Sequence, residues 1–259
     1  MRILIVGGCF TCQHNIEYAR LYHQSLKNMF IDRGDLDTEI STIRYERIGM
    51  TLEKIVTFRQ SNDFDLLIFH LRTEPFMRLV KLYYKYLNHH RELKHSFNVP
   101  YFNIIMPEKY DLLENRRVNC SSDTNETKIH HYLREANYYV GSLMGNMKYA
   151  FKIYERFIDE ISTYCNNTNK RFLLLGPVSR PSSVFENRLS YEISNHFTKY
   201  SNSRSIDYLE LIGEQTSKAQ NMFFSNGQHV SQEGHDEVAQ KIFNRINNPI
   251  ADCRDNLYF

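Results

Sequence analysis

The chain has 259 residues, 42% hydrophobic and 24% charged, a balance that excludes disordered and fibrous classes and suits one globular domain with a sizeable insertion. Lys and Arg number 32 against 30 Asp and Glu, a net charge of +2 without a basic tract, so no phosphate-neutralising surface for nucleic acid is expected. No run approaches the roughly 18 to 20 apolar residues of a membrane span, and Ile3-Leu4-Ile5-Val6 is too short for a signal-peptide core, which makes a cytoplasmic protein the simplest expectation.

Five segments read as strands, each a short apolar run closed by a turn signal. Ile3 to Val6 ends at Gly7-Gly8, and Thr38 to Ile43 alternates as a half-buried strand does. Asp65 to Leu71 and Arg171 to Leu175 are nearly continuous, as strands covered on both faces should be, and Ser205 to Leu209 is a weaker fifth. Helical periodicity fills the intervals at 13–30, 50–60, 142–164, 183–200 and 231–246. Alternating strands and helices predict a three-layer, flavodoxin-like parallel sheet with helices on both faces, whose working residues gather at the carboxyl ends of the strands. The spacing breaks at 75–141, which holds a Tyr-rich helix from Phe76 to Asn88, the apolar Tyr101 to Met106, and a polar stretch from Asn115 to Lys128. This segment is expected to be an inserted cap; the alternative is a further unit of the sheet with Tyr101 to Met106 as a sixth strand.

The five cysteines, Cys9, Cys12, Cys120, Cys165 and Cys253, are odd in number and irregular in spacing, so reduced thiols rather than a disulfide framework are expected. The Asn-x-Ser/Thr triplets at Asn119, Asn125 and Asn166 then carry no glycan. Cys9 follows the first strand in Gly7-Gly8-Cys9-Phe10-Thr11, where free amide groups and a following helix would favour a thiolate; the plain alternative is a buried cysteine in a tight turn. Near the other end, Asn226-Gly227-Gln228-His229-Val230-Ser231-Gln232-Glu233-Gly234-His235 opens the last helix. Ser231 is its expected N-cap, with Glu233 and Asp236 expected in the first turn and His229 on the loop before it. Cys9-Phe10-Thr11-Cys12 also spells a Cys-x-x-Cys redox pair, without the usual Pro or Gly between the cysteines. No second Cys/His pair has zinc-ligand spacing, and Met1 to Gly8 lacks the further glycines of a dinucleotide turn, so neither metal nor nucleotide is expected.

Together these blocks resemble the SGNH or GDSL family of esterases and acyl hydrolases. Val6-Gly7-Gly8-Cys9 stands where that family has a strand followed by Gly-Asp-Ser, which sets Cys9 at the nucleophilic serine and Gly8 at the aspartate. Asn226-Gly227-Gln228-His229 stands at the family's Asp-x-x-His, with Asn226 replacing the aspartate and Gly234-His235 following as expected. Gly49, in Arg47-Ile48-Gly49-Met50-Thr51, corresponds to the oxyanion-hole glycine, whereas Arg72-Thr73-Glu74-Pro75 departs from the family's Gly-x-Asn-Asp. The two replacements at the nucleophile and its partner are consistent with each other, since Cys-His-Asn is the papain-like arrangement, in which a thiolate-imidazolium pair needs an oriented ring and no buried carboxylate.

The resemblance implies acyl transfer or ester hydrolysis through a Cys9 acyl-thioester, with His229 as base and then acid and Asn226 orienting its ring. Gly49 and Arg72 would serve the oxyanion or the substrate, and Glu74 beside Arg72 would repel an oxyanion unless paired; a surface ion pair is the alternative for these two. A sugar, polysaccharide precursor or carrier-bound metabolite would suit as substrate, with acyl-CoA or an acyl-carrier protein as donor and no bound cofactor. A non-catalytic relative that binds a ligand or partner is the rival reading, and a thiol redox protein using Cys9 and Cys12 the third.

Overall fold

A computed structural model describes residues 1–8, 11, 21–45, 48–73, 76, 136, 139–143, 146–178, 184–212 and 230–248. Five parallel strands form one sheet among them: β1 (Arg2–Gly7), β2 (Glu39–Arg44), β3 (Leu66–His70), β4 (Arg171–Leu175) and β5 (Asp207–Leu209), in the order β2-β1-β3-β4-β5. The described helices are α1 (Tyr22–Asp32), α2 (Thr51–Ser61), α3 (Asn146–Asn167), α4 (Val184–Arg204) and α5 (Gln232–Asn247), with a 3₁₀ turn at Ile48–Met50. The chain divides into two compact units, one of residues 1–44, 58–71 and 165–259, the other of 45–57 and 72–164. Of the expected cap at 75–141, only residues 76, 136 and 139–141 are described, and Tyr101 to Met106 lies outside the described residues.

In the first unit the strands follow the apolar runs. Ile5, Ile68 and Leu173 stand side by side in register and face α1 and α5, while their neighbours Val6, Phe69 and Leu174 line up on the opposite face. β3 is buried at every position, which is why its sequence does not alternate, whereas β2 at the edge does. Tyr22, Leu26 and Phe30 recur every four residues along α1, and Val238, Ala239, Ile242 and Ile246 make the matching stripe on α5. Each Val, Leu, Ile and Phe side chain among these adds about 1.5 to 3 kcal/mol by burial. The step from β1 to β2 runs the opposite way across the sheet from the step from β4 to β5, so right-handed crossovers put α1 and α4 on opposite faces. α4 turns its own stripe inward through Leu189, Ile193 and Phe197 and is fastened to β5 by Ser194, whose hydroxyl lies 3.0 Å from the Tyr208 phenol.

At the amino ends of the strands Arg2 bridges Asp63 and Asp65, and Lys170 lies 2.9 Å from Asp63. The Lys170 ammonium, helped by Arg2, holds the exposed Asp63 carboxyl down at about 2. Exposed ion pairs contribute little, and this cluster lies at the end of the sheet away from the carboxyl termini of the strands. Arg245 of α5 is more sheltered: its Nε donates to Asp207 at 2.7 Å and its Nη2 to the same oxygen at 2.5 Å, tying the last helix to β5. Arg245→Met is expected to lower stability by about 1 to 2 kcal/mol through loss of these charge-assisted bonds. An unshifted urea midpoint would show that the pair contributes nothing.

Candidate active site

Strand order reverses between β1 and β3, so the crevice of such a sheet opens beyond the carboxyl ends of those two strands. β1 ends at Gly7, and the amide of Thr11 donates to the Gly8 carbonyl at 3.0 Å. Gly7 is required by close approach: a Cβ there would lie 1.8 Å from the Thr11 hydroxyl oxygen and 2.7 Å from the Thr11 Cβ. Thr11 is fully buried and its hydroxyl shares a hydrogen bond of 3.0 Å with the phenol of Tyr22.

Tyr22 opens α1 as its first helical residue. Leu21 at the N-cap has no side-chain oxygen, but its carbonyl accepts from Gln24 N at 2.8 Å and its own amide donates to Gln24 Oε1 at 2.7 Å; the Tyr22 amide, at the first helical position, is not one that an N-cap side chain serves. The acceptor comes from the other end of the chain, where His235 Nδ1 receives the Tyr22 amide at 3.2 Å. That role fixes the neutral tautomer with its proton on Nε2. The imidazole is 1% exposed, and burial, with the nearby His23 acting in the same direction, pushes its pKa down to about 4 against an opposing pull from Asp236. Burial lowers His23 as well. The Tyr22 ring stacks on His235 at 6.4 Å and meets His70, the last residue of β3, edge-on at 6.1 Å. A second tie runs beside the first: Ser25 Oγ donates to Asp236 at 2.5 Å, and Gln232 Nε2 reaches the same oxygen at 3.0 Å. Ser231 caps α5 as expected, accepting from Gly234 N at 3.2 Å, with Glu233 in the first turn. Asp236, expected in that turn, is instead occupied by Ser25 and Gln232.

The second unit holds the other candidates that are described. Gly49 is exposed in the 3₁₀ turn, and a Cβ there would sit 3.2 Å from the Phe157 ring. Arg72 donates through Nη1 to the Tyr45 carbonyl at 2.8 Å and lies 5.4 Å over the Tyr45 ring. Thr73 is buried, as is Phe76, which packs against Phe151 and Tyr154 of α3.

No protein-family model matches the chain, and no curated protein matches its sequence. Solved structures do. A variant of an acetyl xylan esterase from Geobacillus stearothermophilus superposes with a TM-score of 0.55 at 8% identity, covering 96% of this chain and 96% of that one. A lipolytic protein of the G-D-S-L family from Desulfitobacterium hafniense gives 0.53 at 7% identity over 94% and 98% of the two chains. A lipase/acylhydrolase from Enterococcus faecalis gives 0.51 at 10% identity over 97% of each. The fold is SGNH/GDSL hydrolase-like.

Of the residues singled out in the sequence, the SGNH-like structure describes Gly49 and Arg72, while Cys9, Cys12, Glu74, Asn226 and His229 lie outside the described residues. What it adds is the frame next to two of them. Thr11 comes two residues after Cys9 and His235 six after His229, and Tyr22 joins them. Cys165 is the one described cysteine; burial pushes its thiol up to about 12, which makes it inert. Among the described residues no His, Cys, Asp and Glu gather as a metal site, and no helix is long and apolar enough to cross a membrane.

Proposed function

We propose that the chain is an SGNH-like acyl-transfer enzyme that works through a thioester on Cys9. The observation that carries this reading is the hydrogen-bonded path from Thr11 through Tyr22 to His235, at the carboxyl end of β1. It ties the chain just after Cys9 to the chain just after His229, the two segments that supply nucleophile and base in the family the sequence resembles.

In the proposed reaction the Cys9 thiolate attacks the ester carbonyl, the C–S bond forms, and the C–O bond breaks as the leaving alkoxide takes a proton from His229. An acceptor hydroxyl or water then gives its proton to His229 and attacks the thioester, releasing the thiolate. Asn226 orients the His229 ring. The Gly49 amide and Arg72 are the proposed stabilisers of the oxyanion or the substrate, and Glu74 is assigned to the same site by its place in the sequence. A thioester keeps enough transfer potential to acylate an alcohol, which favours transfer over hydrolysis. The acetyl xylan esterase among the similar folds supports a glycan substrate class, and an acyl-CoA or acyl-carrier donor would suit the thiol. The rival reading, a ligand-binding protein without catalysis, draws support from the bond that already occupies Arg72.

Iodoacetamide alkylation of Cys9 as a function of pH decides between them, with mass spectrometry separating Cys9 from Cys12. A thiolate persisting well below the usual thiol pKa of about 8.5, and lost in His229→Ala, is expected. Ordinary titration in both proteins would leave the binding reading.

A further inference from the structure

We propose that His235 and Tyr22 form a positioning clasp, His235 Nδ1 on the Tyr22 amide and Tyr22 Oη on Thr11, that sets the distance between Cys9 and His229. The inference rests on the Cys9–His229 reading above and deepens it by naming the residues that hold that pair in register.

The case begins with what the clasp joins. Tyr22 is bound at both of its ends: its phenol meets the Thr11 hydroxyl at 3.0 Å, and its amide donates to His235 at 3.2 Å. Thr11, two residues after Cys9 in sequence, is fixed in turn by its own amide to the Gly8 carbonyl. On the far side His235 lies one turn into α5, whose N-cap Ser231 follows His229 by two residues. The bond from Ser25 to Asp236 adds a second tie between the same two helices, three residues along α1 from Tyr22, and stops one helix pivoting about the other.

The chemistry of the clasp argues for position over mere cohesion. An apolar pair would fill the same buried space without a desolvation cost, whereas an imidazole and a phenol at this depth must be hydrogen-bonded to be tolerated. Buried polar networks of this kind select one geometry among packings that apolar groups would accept equally. A thiolate-imidazolium pair needs that selectivity, since a displacement of about 1 Å costs roughly 10²-fold. Tyr22 is further boxed by His235 stacked on one side and His70 edge-on at another, so its phenol and amide cannot shift independently.

The test compares the pH profile of Cys9 alkylation by iodoacetamide in wild type, His235→Phe, His235→Asn and Tyr22→Phe, with alkylation of the buried Cys165 as the reporter of unfolding. His235→Phe keeps a ring and loses the acceptor; His235→Asn returns an acceptor close to the position of Nδ1. In His235→Phe the Cys9 profile is expected to move towards that of His229→Ala, with the thiolate present at neutral pH falling about tenfold, while Cys165 stays protected. His235→Asn should recover most of the wild-type profile. A Cys9 profile unchanged in His235→Phe overturns the clasp, and so does an equal displacement in the Phe and Asn variants, which would mark a packing role. Should His235→Phe expose Cys165, Tyr22→Phe decides, because it removes only the phenol oxygen: a displaced Cys9 profile supports the clasp and an unchanged one overturns it. An ordinary Cys9 thiol in the wild type would instead bring down the Cys9–His229 reading, and the clasp's role with it.

Discussion

Gly7→Ala is expected to lower the folding free energy by about 3 kcal/mol, the upper end of the usual cost of overpacking a core, and to disturb the bonds that hold Thr11, two residues beyond Cys9 in sequence. The added methyl would stand 1.8 Å from one Thr11 atom and 2.7 Å from another. Rotating Thr11 relieves the first contact and not the second, because the second is its Cβ, fixed by a backbone held to Gly8. Moving the Thr11 backbone would break its bond to Gly8 and the bond to Tyr22. Moving Gly7 would disturb its place in β1 opposite Arg44. The double-mutant cycle with Thr11→Ala gives the decisive number: the cost of Gly7→Ala should shrink when the Thr11 hydroxyl is gone, yet persist in part. Equal costs in both backgrounds would remove the Thr11 hydroxyl as a source of the strain and leave its Cβ.

Acid is the second large effect. The unfolded chain's His235 takes up a proton near the ordinary value of about 6.5, whereas the folded residue resists protonation until about pH 4. Between those values a falling pH favours the unfolded chain, so the contribution is intact above pH 6.5, declines as the pH drops, and is exhausted near pH 4. The full difference between the two states corresponds to roughly 3 kcal/mol. His23, also lowered by burial, acts with the same sign. Urea unfolding at pH 7.5 and pH 4.5 should therefore show a greater loss in wild type than in His235→Asn, which keeps an acceptor and has no proton to gain. Parallel losses in the two proteins would show that His235 titrates normally.

The sheet was legible because parallel strands covered on both faces are nearly unbroken apolar runs, and β4 occurs at Arg171–Leu175 as expected. Helix limits were harder to read. The periodicity of α4 and α3 gives no stop signal at 200 or 164, and both helices run on, to Arg204 and Asn167, until residues in the left-handed region, Ser205 and Asn169, turn the chain. The helix expected from 13 is described from Tyr22, and residues 13–20 lie outside the described residues.

For the site, the motifs pointed to Cys9, Asn226 and His229 through a family pattern, whereas Thr11 and Tyr22 carried no signal of their own. A tyrosine is unremarked in a chain with 18 of them, and its acceptor is 213 positions away. His235 was within reach, as the Gly-His step in the first turn of a helix whose cap was already evident. Its partner was not, because the bond from the Tyr22 amide is visible only once α1 and α5 lie together.

That separation also governs when the fold can close. The first helix and the last helix share one apolar core with β1, β3 and β4, and the polar tie between them spans nearly the whole chain. Contacts between such distant segments reward the chain only after the loop entropy of bringing them together has been overcome, which slows folding. On a ribosome the strands β1 to β4 would all emerge before α5 existed to cover them, leaving Ile3, Ile5 and Ile68 without the Val238, Ala239, Ile242 and Ile246 part of their cluster. The nascent protein would therefore carry an exposed apolar sheet face and no assembled site until α5 had been synthesised.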